Sequence, residues 1–146
     1  MHYLVKILIS LVALEHLYFL ILEMFFWAKP KGIKTFGLKS EQFAKDTKVL
    51  AANQGLYNGF LAAGLVYSIM LEDNRTSVFF LSCVIIAGIY GAFSTKKIRL
   101  FYIQSIPAIL ALTLSQFNFQ KSLSHFFYVF FNKVLIVFNF AAHKKF

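Results

Sequence analysis

The chain has 146 residues, which suggests one domain, and 59% of them are hydrophobic while only 14% are charged. A soluble domain carries about 25% charged residues, so this composition excludes an ordinary soluble fold. The formal charge of +9 does not indicate a nucleic-acid partner, because the basic residues lie in short runs between apolar segments, where membrane anchors belong. The sequence therefore predicts an integral membrane protein whose first partner is the lipid bilayer.

Four segments are long and apolar enough to cross the bilayer as helices. Crossing about 30 Å of hydrocarbon takes roughly 20 helical residues. The predicted spans are residues 7–28, 49–70, 78–95 and 100–117, all within a domain of residues 1–117. Short polar connections make sequential helices antiparallel neighbours. The predicted fold is an all-α transmembrane bundle of four antiparallel helices.

The first apolar run is predicted to be a retained span and not a cleaved signal peptide. It is longer than a signal peptide and ends at Trp27 without a small-residue cleavage site. In the loop that follows, Ser40 is predicted to cap a short interfacial helix that leads into the second span.

Lysine and arginine are divided unequally between the two ends of the predicted bundle. Nine lie in the first and third loops, residues 29–48 and 96–99, against three on the other side. Cytoplasmic loops carry the excess of basic residues. We therefore expect a multi-pass protein of the bacterial inner (plasma) membrane, with the N-terminus outside and both basic loops in the cytoplasm.

The remaining residues, 118–146, form a Phe-rich extension. Residues 122–142 are apolar enough to suggest a fifth span, although Lys133 lies in the middle of it. A lysine at mid-span costs about 2.5–3.5 kcal/mol on insertion. A fifth membrane helix, an interfacial helix and a poorly ordered tail are all open interpretations.

The first span carries three ionisable residues, Glu15, His16 and Glu23. Such groups are expensive to place in lipid, so they must be neutral or satisfied by neighbouring helices. His16 and Glu23 are seven residues apart, which places them about 20° apart on one helix face and about 10 Å apart along the axis. They are the leading candidates for a functional pair.

Polar side chains on the other spans are predicted to lie at a similar depth, on the cytoplasmic side of the midplane. Glu23, Asn53, Gln54, Tyr90 and Gln104 would form a polar belt at one level, while His16 and Asn58 lie close to the midplane. The candidate ligand-binding residues are His16, Glu23, Asn53, Gln54, Tyr57, Asn58, Tyr90 and Gln104. One interpretation is a pocket for an unknown small ligand or a proton. The other is a polar network that only ties the helices together.

Small residues repeat at four-residue intervals on two spans and predict close helix packing. The candidates are Gly55, Gly59 and Ala63 on the second span, and Ala87 and Gly91 on the third. Small side chains let helix backbones approach closely in lipid. The contact could lie within one chain or between two copies, which makes a homo-oligomer one expected partner arrangement.

Sequence motifs for catalysis, metals and cofactors are missing. Neither a phosphate-binding loop nor a serine nucleophile motif occurs, and the single Cys83 supports no disulfide or Cys-based zinc site. We expect no cofactor, no metal and no enzymatic activity. An intramembrane lipid-modifying enzyme, with Glu23 and His16 as acid and base, is an alternative, as is a structural or accessory membrane protein.

Several strings resemble a known family. They are His16-Leu-Tyr-Phe-Leu-Ile-Leu-Glu23, Asn53-Gln-Gly-Leu-Tyr-Asn-Gly59, Cys83-Val-Ile-Ile-Ala-Gly-Ile-Tyr-Gly91 and Gln104-Ser-Ile-Pro-Ala-Ile-Leu-Ala111. Over about residues 5–117 the chain resembles the bacterial membrane family called domain of unknown function 1304. The resemblance implies a four-helix inner-membrane protein with no established activity and no assigned catalytic residues.

Overall fold

The computed structural model describes residue 1 and residues 3–117. They form six helices: α1 Tyr3–Phe26, α2 Pro30–Phe36, α3 Glu41–Asp46, α4 Lys48–Met70, α5 Asn74–Thr95 and α6 Ile98–Phe117. The described residues contain no strand. The prediction of an all-α helical bundle is confirmed. The suggested fifth span, residues 122–142, lies outside the described residues.

The helix starts follow from local capping. Ser40 Oγ accepts a hydrogen bond from the Phe43 amide at 3.0 Å, which confirms the predicted cap of α3. Asp73 accepts from the amides of Arg75 and Thr76, so α5 begins at Asn74 and not at the predicted residue 78. A carboxylate at an N-cap satisfies amides that have no partner within the helix.

Two of the long helices contain a π-helical turn, in which each amide reaches back five residues instead of four. In α1 the turn covers Leu22–Phe26, and in α6 it covers Phe101–Ser105. Pro107 follows the second turn and has no amide hydrogen to donate, which disrupts the regular α-helical pattern there. Both turns lie near the same end of the bundle.

The long helices pack as antiparallel neighbours in chain order. The start of α1 meets the end of α4, where Lys6 pairs with Glu72 at 2.6 Å. Farther along, Ser77 on α5 donates to Ser68 on α4 at 2.9 Å. A Cβ added to Gly88 on α5 would collide with Ser105 on α6. The first two contacts join the start of one helix to the end of another, and the third joins the second half of α5 to the first half of α6, as an up-and-down bundle requires.

All four long helices contribute to one apolar core. Its buried members are Val5, Ile9, Val12, Ala13, Leu65, Leu81, Val84, Ala108 and Ala111. Many large apolar side chains nevertheless lie on the outer surface of the bundle, among them Phe60, Phe79 and Phe93. A soluble monomer rarely exposes so continuous an apolar surface, whereas a bundle in lipid does.

Within the described part of the chain, three helices are long and apolar enough to cross a membrane: Tyr3–Phe26, Asn74–Thr95 and Ile98–Phe117. Four such spans were expected, and α4 is not among the three although it has 23 residues. Its first half contains Asn53, Gln54 and Asn58, whose amides lower the mean hydropathy of the segment.

The two basic loops lie together at one end of the bundle. Lys97 Nζ, just after α5, donates to the carbonyl oxygen of Phe36 in the first loop at 2.6 Å. The Phe36 ring lies 4.9 Å from that of Trp27, whose indole donates to Thr47 Oγ1 at 3.0 Å. The structure therefore places residues 29–48 and 96–99 on the same side; their location in the cytoplasm stays a prediction.

Candidate functional site

Glu23 lies on the π turn of α1 and is buried, with 8% of its surface exposed. The turn packs closely against α4, because a Cβ added to Gly55 would lie 3.1 Å from Glu23 Cβ and 2.8 Å from Met24 Cγ. Only a glycine permits this approach at position 55. The small residue on α4 thus allows the acidic side chain to enter the helix interface.

Asn58 is the partner of Glu23. Its Nδ2 donates to Glu23 Oε2 at 2.7 Å, and the Asn58 side chain is itself buried. A hydrogen bond to a carboxyl group between two packed helices is shielded from water, where it would be weaker. The pair joins α1 to α4 near the end of the bundle that carries the basic loops.

His16 is almost completely buried, at 1% exposure, two helical turns before Glu23. Its Nδ1 lies 2.9 Å from the carbonyl oxygen of Val12 in the same helix, so Nδ1 carries the hydrogen of this bond. The ring also meets Phe19 edge to face, with 6.3 Å between centroids. His16 is therefore held by its own helix, and the structure records no hydrogen bond between it and Glu23.

Glu15 is a third ionisable side chain in α1, on a different face from His16. Its Oε1 atom is buried and has no hydrogen-bond partner among the described residues. A buried oxygen without a donor is costly. Helix geometry places Glu15 about 100° round the axis from His16, but the sequence does not indicate that its carboxyl oxygen is buried without a donor.

The other members of the predicted belt are not gathered around Glu23. Asn53 and Gln54 are exposed, and Tyr57 and Tyr90 are 52% and 71% exposed on the outer surface. Gln104 is half-buried beside Gly88, at the interface of α5 and α6. The structure thus brings together Glu23 and Asn58, keeps His16 on the same helix, and places the remaining candidates elsewhere.

The predicted packing residues are also divided. Gly55 and Gly59 both face α1, because a Cβ on Gly59 would lie 2.5 Å from Leu20 Cδ1. Ala63 and Ala87 are exposed. A Cβ at Gly91 would meet Leu100 Cδ1 at 3.8 Å, an ordinary van der Waals distance.

Two close-packing glycines of the long helices were missed by the sequence analysis. A Cβ on Gly64 would collide with the Phe80 ring, and one on Gly88 would collide with Ser105 Oγ. Ser105 in turn donates to the carbonyl oxygen of Ile85 at 3.2 Å. The four-residue spacing Gly88–Ala92 in the sequence could have indicated this face as readily as the neighbouring spacing Ala87–Gly91.

A crevice of about 860 Å³ lies between the end of α5 and the start of α6. Its walls include Phe93, Ile98 and Phe101, with Lys96 at the connection between the helices. None of its lining residues belongs to the predicted polar belt, so this space is separate from Glu23. Among the residues described, no three His, Cys, Asp or Glu side chains lie close enough together to hold a metal ion.

Fold and site together define a small all-α bundle with apolar helices suited to a membrane and one buried acid–amide pair. The chain belongs to the family described as Protein of unknown function (DUF1304), which matches residues 10–116. The resemblance found in the sequence strings is thereby confirmed. The match includes Glu23, Asn58 and His16.

A bacterial relative supports the same assignment. The chain is 32% identical over 114 residues to the uncharacterized protein YpaA of Lactococcus lactis subsp. lactis (strain IL1403). The match covers 76% of this chain and 95% of the relative. No solved structure matches the chain.

Proposed function

We propose that the chain is a multi-pass bacterial inner-membrane protein that binds a proton or a small ligand at Glu23, near the cytoplasmic end of the bundle. The observation that carries the proposal is the buried hydrogen bond of 2.7 Å between Asn58 and Glu23. An ionisable side chain inside a membrane span is expensive to keep and marks a functional site by default.

The membrane placement is supported by the three apolar helices and by the antiparallel packing. Since α4 connects α1 to α5 and lies antiparallel to both, it crosses the bilayer whenever they do. Its buried Asn58 is then satisfied by Glu23, as a polar group inside hydrocarbon must be. The basic loops at one end favour the cytoplasm for that end.

The π turn supports a role for Glu23 beyond packing. Single π turns inside α-helices occur frequently at functional sites, where the extra residue re-aims a side chain. The turn at Leu22–Phe26 contains Glu23, and Gly55 of α4 lies directly against it. A carboxyl group in this position can exchange a proton, with the Asn58 amide donating to it in either state.

A structural role is the second candidate, because Glu23 and His16 both have hydrogen-bond partners within the bundle. Glu23 accepts from Asn58, and His16 donates to Val12 of its own helix. The 860 Å³ crevice also lies apart from both. This alternative requires a Glu23 carboxyl that neither exchanges its proton nor responds to pH.

A lipid-modifying enzyme needs both ionisable side chains at an opening to lipid. His16 and Glu23 are only 1% and 8% exposed, and they lie two turns apart on α1. The described geometry gives this third possibility no support.

Difference infrared spectroscopy of the purified protein tests the proposal, with the proton itself as the probe. We expect a carboxyl band that shifts in D₂O, changes with pH and disappears in Glu23→Gln. Glu15→Gln is the matched control, because it removes an acid from the same helix and should leave that band in place. If wild type and Glu23→Gln give the same spectra at every pH, the structural alternative holds.

A further inference from the structure

The crevice between α5 and α6 has an apolar wall that no described residue covers. Ile89, Phe93 and Ile98 line it and are 51%, 84% and 62% exposed. Phe101, the first residue of the second π turn, also lines it. The volume of about 860 Å³ falls within the range of ligand pockets, which is about 300–1,000 Å³.

Polar and positively charged groups also take part in the lining of the crevice. Ser94 and Lys96 both line it, and Arg99 lies nearby in the first turn of α6. Neither Lys96 nor Arg99 takes part in an ion pair within the described part of the chain. Lys97 is engaged elsewhere, since its ammonium group donates to Phe36. The lining of the crevice therefore combines an apolar wall with a lysine that has no ion-pair partner among the described residues.

Lys96 occupies a backbone position that normally belongs to glycine. Its φ of 56° and ψ of 26° are left-handed, and its amide closes α5 onto the carbonyls of Ala92 and Phe93. Glycine adopts this C-terminal conformation without steric cost, whereas lysine does not. The fold thus places a long cationic side chain in the lining of the crevice although its backbone conformation there is strained.

We propose that this crevice binds an anionic phospholipid, with an acyl chain against the apolar wall and the phosphate at Lys96. Charge complementarity favours this occupant, because a basic side chain beside the apolar face of a membrane helix attracts the anionic head groups of the cytoplasmic leaflet. The inference rests on the membrane placement proposed above and is independent of any role of Glu23.

Lipid retention by the purified full chain tests the site. The protein is incorporated into bilayers containing equal amounts of phosphatidylglycerol and phosphatidylcholine, extracted gently, and examined by native mass spectrometry. We expect bound phosphatidylglycerol in at least about fivefold excess, which is what one basic residue contributes near a membrane surface. Lys96→Gly and Lys96→Gln should both abolish the excess.

The two Lys96 variants separate binding from folding. Lys96→Gly relieves the left-handed backbone and should melt no lower than wild type, whereas Lys96→Gln retains the strain, and both lose the cation. Lys39→Gln is the control, because it removes an exposed charge at the same end of the bundle but outside the crevice. Glu23→Gln should keep the lipid preference, so this test and that of Glu23 can fail separately.

Three results would overturn the proposal. Equal retention of the two lipids would exclude a selective site. If Lys39→Gln lowers the phosphatidylglycerol excess as much as the Lys96 variants do, the excess reflects only the overall positive charge of this end of the bundle. The third is a disulfide-linked dimer formed by Phe93→Cys in a Cys83→Ser background. Such a dimer would show that a second copy of the chain, and not a lipid, lies against the crevice.

Discussion

Asn58 on α4 donates to Glu23 on α1 across the packed interface of these two helices, with 2.7 Å between Nδ2 and Oε2. Three residues earlier on α4, Gly55 contacts the same stretch of α1. The glycine brings the backbones together, and the amide then satisfies the acid that this approach buries. The close packing at Gly55 and the hydrogen bond of Asn58 therefore depend on each other, although separate substitutions can remove each one.

Removing the amide should weaken the bundle. In Asn58→Leu, Glu23 loses its donor, and we expect a loss of about 0.6–1.7 kcal/mol of unfolding free energy, the range measured for hydrogen bonds between membrane helices. Unfolding in mixed micelles at increasing SDS fraction measures it. Asn53→Leu is the matched control, because that amide is exposed. Equal losses in the two variants would show that the buried bond has no special weight.

Enlarging Gly55 should separate α1 from α4. In Gly55→Ala the new methyl would lie 2.8 Å from Met24 Cγ and 3.2 Å from the carbonyl oxygen of Leu20, so the helices must move. Overpacking of this kind costs about 1–3 kcal/mol. Gly91→Ala should be neutral or stabilising in the same assay, because its nearest neighbour is 3.8 Å away and alanine favours helix. If Gly55→Ala has the same unfolding free energy as the wild type, the close packing of α1 against Gly55 is contradicted.

Acidification should weaken the opposite end of the bundle through Glu72. Hydrogen bonds from Lys6 and from the Met1 amino group, together with their charges, hold the pKa of Glu72 below its ordinary value of 4.5. A carboxylate with a lowered folded-state pKa stabilises the fold above its unfolded pKa, and this contribution is lost as pH falls through the folded value.

The Glu72 contribution is measured by comparison with Glu72→Gln. Between about pH 5 and about pH 3, thermal stability of the wild type should fall more steeply than that of the variant. The pKa of Asp73 is also lowered, mainly by the hydroxyl of Thr76, but this group is present in both proteins and cancels. Parallel pH profiles would show that the ion pairs with Lys6 and Met1 do not stabilise the folded state.

Thiol labelling in whole cells tests the proposed orientation. Lys39 and Arg75 are exposed at opposite ends of the bundle, so each is replaced by cysteine in a Cys83→Ser background. A membrane-impermeant reagent should label position 75 in cells whose outer membrane is opened, and position 39 only after the inner membrane is permeabilised. The reverse pattern would invert the topology, and labelling of both from outside would exclude the proposed membrane crossing.

The register between helices is where the sequence interpretation and the structure differ most. Depth estimated from the predicted span centres placed Glu23 level with Asn53 and Gln54. The structure instead pairs it with Asn58, about one turn farther along α4. The register of two packed helices depends on which side chains of one helix lie against the small residues of the other. Here Glu23 and Met24 of α1 lie against Gly55 of α4. This contact cannot be read from the sequence of either helix alone.

The composition of α5 likewise does not determine which face of the helix is turned toward the core. The spacings Ala87–Gly91 and Gly88–Ala92 differ by one residue, which is a rotation of about 100°. The structure buries Gly88 and Ala92 and leaves Ala87 exposed. In a soluble helix the polar face would have identified the buried side. Around these positions α5 carries mostly apolar side chains on both its buried and its exposed faces, because lipid and core favour the same side chains.

The sequence by itself determined the class of fold, the antiparallel order of the helices and the unusual presence of ionisable groups in the first span, since hydropathy and short connections act along the chain. Only the tertiary structure decided that Asn58 and not Asn53 meets Glu23, that Tyr57 and Tyr90 face outward, and that a crevice opens beside Lys96. The physical reason is that these features depend on close contact between helices, and a uniformly apolar surface carries no signal of which side will be in contact.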